Sequence, residues 1–179
     1  MEGDIAFAFN GEVAIIFILL GMANLIKADC WATGCFNQAD ATPYLTYRDA
    51  ALNFQTAFIG EEQYLGYDFG TTYGPFQPTV GLSLADSGDV WVGAGAKLKS
   101  HADFMGPFFV ETSVVPGIYL RDGGPDLGFP VQFRASMGIG YEFNNGAELT
   151  AIYDHRSNFN LAELNPGIET FAVQLSIPF

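Results

Sequence analysis

From Asn53 to Phe179, apolar residues recur at every second position in stretches of roughly ten, separated by clusters of Gly, Pro, Asp and Asn. This is the periodicity of β-strands. Its clearest instance is Val131, Phe133, Ala135, Met137, Ile139, Tyr141 and Phe143, alternating with Gln132, Arg134, Ser136, Gly138, Gly140 and Glu142. One face of that segment is bulky and apolar and the other polar or small. The pattern predicts eight strands, over residues 52–60, 63–72, 76–85, 89–99, 107–120, 130–143, 147–157 and 168–179. Asn144-Asn145-Gly146 reads as a hairpin turn, because Asn and Gly accept the positive φ such turns require. Ala85-Asp86-Ser87-Gly88 and Arg121-Asp122-Gly123-Gly124 punctuate other segments. Pro116 interrupts the fifth and predicts a bulge or an end to regular pairing there.

The segments match the roughly 9–11 residues of a tilted membrane strand. Eight antiparallel strands close into a small barrel with no unpaired edge and an interior filled by side chains rather than a pore. The expected fold is therefore all-β: an eight-stranded antiparallel transmembrane barrel of the outer-membrane kind, spanning 52–179. The last segment puts Phe171, Val173, Leu175, Ile177 and Phe179 on one face and stops at an aromatic, which resembles the signal read by the barrel assembly machinery. Lys97, Glu111, Arg134, Glu142, Glu148 and Asp154 are then expected mostly inside, as a polar network. A soluble β-sandwich binding module also explains the alternation, but leaves the terminal aromatic strand as a coincidence.

Val13 to Ile26 is an apolar run of 14 residues. It is shorter than the roughly 20 needed to span a bilayer as a helix and suits a signal-peptide core. Glu2, Asp4 and Glu12 stand where basic residues are expected, so residues 1–28 are read as a signal peptide or a retained hydrophobic segment. Residues 29–51 are read as an N-terminal extension, either periplasmic or a short plug. Cys30 and Cys35 have a spacing unlike that of redox or zinc sites; a local disulfide and two unpaired thiols fit equally well.

The chain has 179 residues, 49% of them hydrophobic, enough for one domain. Its 20 acidic and 7 basic residues give a formal charge of -13, which repels nucleic acid phosphates, so no nucleic acid partner is expected. Neither a metal-ligand cluster nor a nucleotide motif is present, and no cofactor is expected.

One set of polar residues breaks the apolar parity. On the seventh segment that parity runs Ala147, Leu149, Ala151 and Tyr153, then His155 and Ser157; the eighth adds Glu169 on the parity of Phe171 and Val173. Adjacent antiparallel strands would bring Glu169 opposite the His155 region, at Cβ separations of about 4.5–5.5 Å. A serine hydroxyl needs a base to become nucleophilic, His155 titrates near neutrality, and a carboxylate can orient the ring and stabilise imidazolium. The Asn158 side chain, or the backbone N–H groups after Ser157, are candidate donors for an oxyanion. Glu163, in a loop, and Asp154, on the opposite face, are weaker candidates for the acid. Parity turns Arg156 inward, toward Asp154 or Glu148.

His155-Arg156-Ser157-Asn158, then Asn165-Pro166-Gly167-Ile168-Glu169, then a strand ending at Phe179 resemble the PagL family of lipid A 3-O-deacylases. The resemblance implies an eight-stranded outer-membrane barrel that hydrolyses the ester-linked acyl chain at the 3-position of lipid A. It implies His155, Ser157 and Glu169 as catalytic residues, with Asn158 and Asn165 at the oxyanion or substrate. It also implies lipopolysaccharide as substrate and the bacterial outer membrane as location. Arg156 and Phe159 depart from the family pattern, the latter replacing a small residue. The alternative is a non-catalytic barrel with a structural or adhesin-like role, in which the same residues decorate the membrane interface.

Overall fold

The computed structural model describes residues 36–101 and 103–179, with only the backbone of Asp103. The N-terminal apolar run and the Cys30–Cys35 pair lie outside these residues. In chain order the strands are β1 (Gln38–Asp40), β2 (Tyr44–Phe54), β3 (Ala57–Asp68), β4 (Thr71–Tyr73) and β5 (Gln77–Ala85), followed by β6 (Val90–Ser100), β7 (Phe108–Leu120), β8 (Val131–Glu142), β9 (Glu148–Ser157) and β10 (Ile168–Pro178). Eight of them close into a barrel in the order β10-β2-β3-β5-β6-β7-β8-β9, and every pairing is antiparallel. β10 closes on β2, from Glu169 opposite Asn53 to Pro178 opposite Tyr44. β1 and β4 pair as a separate two-stranded sheet. Closure satisfies the backbone internally, the condition for a sheet to stand in hydrocarbon.

Six of the eight expected strands lie where the alternation put them; the first two do not. The barrel starts at Tyr44, inside the stretch read as an extension, and the expected 52–60 strand straddles the β2–β3 hairpin. Two features hid this. The outward face of β2 is Leu45, Tyr47, Asp49, Ala51 and Asn53, so its lipid parity carries polar residues. The turn is Gln55-Thr56, both at positive φ (49° and 70°) without a glycine. The Asn144–Gly146 turn falls as expected, with Gly146 at φ 79°. Pro116 makes no bulge and still pairs with Phe133 on β8, but regular pairing to β6 is interrupted at it, beside Ala94 and Gly95, as expected of a proline. That gap fits a residue without an N–H.

The barrel core is polar. Arg134 donates to Asp154 (2.7 and 2.9 Å) and pairs with Glu62 at 2.8 Å. Arg156 donates to the other oxygen of Glu62 at 2.6 Å. Arg48 donates to Gln174, Gln174 to Glu111, and Lys97 bridges Glu111 and Asp68. Lys99 pairs with Glu148. The expected interior network is therefore present except at Glu142, which stands half-exposed at the rim beside His101. Arg156 points inward as parity required, but its partner is Glu62 rather than Asp154 or Glu148.

Apart from the polar positions Asp49, Glu61 and Gln63 on β2 and β3, the outer wall is largely apolar between two aromatic belts. Tyr67, Phe69 and Phe179 cluster near one end, with Phe108, Tyr141 and Phe143 further round it. Tyr153 with Phe171, and Phe133 with Phe159, mark the other. That second end carries the ten-residue loops 121–130 and 158–167; long loops of this kind are extracellular in such barrels. Leu127, from the first loop, joins Leu52, Tyr64, Trp91, Tyr119 and Ile168 in a cluster that stops the barrel's mouth. The base of this loop is tied to Asp89, which accepts from the N–H groups of Asp122 (2.6 Å) and Gly124 (3.0 Å) and from the hydroxyls of Ser87 and Tyr119. Only glycine fits at 124, since a Cβ there would stand 1.6 Å from the Asp89 carboxylate. Burial opposes ionisation of Asp89, but these four donors outweigh it and hold the carboxyl below its ordinary range.

Candidate active site

β9 places its side chains alternately on the two faces of the wall. Asp154 and Arg156 enter the interior network; His155 and Ser157 face outward, together with Tyr153 and Leu149. Registered pairing forms a row across the outer wall: Ala135 on β8, His155 on β9, Glu169 on β10 and Asn53 on β2. Ser157 stands one pleat nearer the extracellular end, opposite Phe133. The structure thus brings together the three residues singled out by parity, one pleat beyond the Tyr153–Phe171 aromatic pair. His155 Nδ1 lies 3.9 Å from Glu169 Oε1. That is longer than a hydrogen bond, though such contacts commonly tighten when a substrate binds.

Although they face outward, His155 and Ser157 are only 6% and 5% exposed. Loop 158–167 folds back over them. Gly167, at φ +70°, lies so close that a Cβ there would be 2.7 Å from the imidazole Cε1. The loop is pinned by Asn158, which is fully buried: its Nδ2 donates to the carbonyls of Leu127 (2.9 Å) and Leu164 (2.7 Å), and its N–H donates to Asn165 Oδ1 (2.9 Å). Asn165 in turn donates to Asn160. Asn158 and Asn165 are therefore beside Ser157, but the side-chain amide hydrogens of Asn158 are spent on fixing the two long loops to each other.

The turn after Ser157 contains a feature that no residue pattern announced. Phe159 and Asn160 both have positive φ, 54° and 60°, and the N–H of Leu161 closes the turn onto the Asn158 carbonyl at 3.1 Å. A bulky residue in the left-handed region is strained, and such strain gathers at functional sites. Among the described residues, no hydrogen bond uses the N–H of Phe159 or Asn160. Of the rival acids, Asp154 is inside and paired with Arg134, and Glu163 is exposed in the loop. Among the described residues no group of His, Cys, Asp and Glu is arranged to hold a metal ion.

Fold and surface define the class first: a small β-barrel of the bacterial outer membrane. Structural comparison agrees. The chain is similar to the crystal structure of the outer membrane enzyme PagL, with a TM-score of 0.61 at 20% identity, covering 76% of this chain and 99% of that one. Designed transmembrane β-barrels match at 0.57 with 10% identity, covering 79% and 98%. Neisserial surface protein A matches at 0.54 with 9% identity, covering 80% and 99%. These likenesses establish the fold. A search of curated proteins returned no match. The family model for lipid A 3-O-deacylase (PagL) matches residues 49–178, and the chain belongs to that family. Family and fold together place it in the bacterial outer membrane, as a hydrolase acting on lipid A.

Proposed function

We propose that the protein removes the 3-O-linked acyl chain of lipid A by a Ser-His-Glu mechanism run on the outside of the barrel. Ser157 Oγ attacks the ester carbonyl while His155 takes its proton, and Glu169 steadies the ring and the imidazolium that forms. The tetrahedral oxyanion is received by the N–H groups of Phe159 and Asn160, which are already oriented by the strained turn and cost no reorganisation. Asn158 and Asn165 hold that turn. His155 returns its proton to the departing sugar oxygen, and water then releases the fatty acid from Ser157 by the same route.

The observation that carries this reading is the position of the site. A hydrolase for soluble esters shelters its triad in a cleft, whereas here His155, Ser157 and Glu169 stand on the lipid-facing parity at the outer aromatic belt. An acyl chain in the outer leaflet comes up to this face, and to loop 158–167 over it, without leaving the hydrocarbon. Expression in an outer membrane followed by mass spectrometry of lipid A tests it. The wild type should yield lipid A lighter by one 3-O-acyl chain, and Ser157→Ala should not. Unchanged lipid A from a correctly folded wild type would favour the structural or adhesin-like alternative.

A further inference from the structure

The strands leave Glu169 in an awkward place. Its neighbours in the registered row are His155 and Asn53, and no Lys or Arg of the described chain shares its face: Arg48, Lys97, Lys99, Arg134 and Arg156 project inward, and Arg121 is in loop 121–130. A carboxylate on a lipid-facing wall is costly unless donors replace its water. A glutamate also has several rotamers, most of which would turn it away from the imidazole.

We propose that Tyr153 is a positioning residue that holds the Glu169 carboxylate against His155. Tyr153 is the registered partner of Phe171, and their rings pack with centroids 5.1 Å apart at 52°, which fixes the phenol on the outer wall. Glu169 is its diagonal neighbour, two residues along β10, a separation that an aromatic side chain spans. The phenol and the Glu169 carboxylate interact electrostatically across that diagonal, which places the Tyr153 O–H to donate to the carboxylate. A tyrosine at a membrane interface wants a partner for its O–H, and a carboxylate wants a donor. Each meets the other's need without admitting water, and the carboxylate is kept from swinging toward Asn53. The inference rests on the Ser-His-Glu reading and extends it by one residue, which touches neither substrate nor the reacting atoms.

The chain has only two histidines, His101 and His155, so ¹⁵N-histidine spectra of the folded barrel in micelles read the site directly. Tyr153→Phe should move the His155 ring resonances in the same direction as Glu169→Ala and leave those of His101 in place. Adding Tyr153→Phe to Glu169→Ala should produce no further change. In kinetics on lipid A, Tyr153→Phe should lower kcat by about 10- to 100-fold with KM within about twofold, the scale of one hydrogen bond to a charged group. Unmoved His155 resonances in Tyr153→Phe, or equal movement of both histidines, would overturn the proposal. A wild type whose His155 responds as expected but which leaves lipid A intact would overturn the esterase reading instead.

Discussion

The two faces of β9 show opposite solutions to carrying polar groups through a membrane. Inward, Asp154 and Arg156 are ion-paired: Asp154 is held by Arg134 and Arg48, and Arg156 by Glu62 beside the ring of Trp91. Outward, His155 and Ser157 meet Glu169, with 3.9 Å still open between imidazole and carboxylate. The interior charges are committed to one another as ion pairs. The exterior group has no Lys or Arg in it and faces the side from which a lipid arrives. One strand thus supports the barrel with its even-numbered residues and, on the proposed reading, does chemistry with its odd-numbered ones.

Substitutions on the two faces should therefore separate activity from stability. The largest effect is expected from Ser157→Ala, a loss of at least about 10³-fold in kcat/KM on lipid A, with the heat-modified gel shift of the barrel unchanged. Loss of the folded barrel together with activity would blur the division between faces. Glu62→Ala should do the reverse. It leaves Arg134 and Arg156 buried without a full complement of charge, and should lower unfolding free energy in urea by about 3–5 kcal/mol, while whatever folds keeps its kcat. A fall in kcat without a fall in stability would tie the interior to the reaction.

Asn158 links the faces, because it pins the loop that covers the outward site. Asn158→Ala should cost about 1–3 kcal/mol from the Leu127 and Leu164 carbonyls it abandons, and it should lower kcat by roughly tenfold as the turn at Phe159 and Asn160 loosens. An effect on KM alone would place Asn158 in substrate binding.

The smallest effect concerns pH at the extracellular rim. The Asp89 carboxyl is depressed in the folded state, so its contribution is present above the unfolded value, near 3.9, and is lost as pH falls through the folded value. The difference in urea midpoint between the wild type and Asp89→Asn should be full at pH 6 and shrink below about pH 4. A difference that grew on acidification would contradict the donor arrangement around Asp89.

Much of this was legible in the chain because lipid imposes a simple rule on outward positions. The segments from Gln77 onward alternate cleanly, and three polar residues at outward positions on β9 and β10 declared themselves against that background. β2 broke the rule, with Asp49 and Asn53 outside and a Gln55-Thr56 turn lacking glycine, and its start was misplaced accordingly. The role of Asn158 was hidden for a different reason. Alternation tells which way a side chain points but not which distant carbonyls, here Leu127 and Leu164, will claim its hydrogens. The strain at Phe159 was likewise invisible, since a bulky aromatic does not advertise positive φ.

The central claim is that an activated serine stands on the outward face of β9. Treating the folded barrel with a fluorophosphonate bearing an alkyl chain, then mapping the modified peptide by mass spectrometry, tests it most directly. The account predicts adduct on Ser157 alone, abolished by His155→Ala and slowed by added lipid A. Failure of the folded barrel to react, or labelling at another serine with Ser157 untouched, would contradict it.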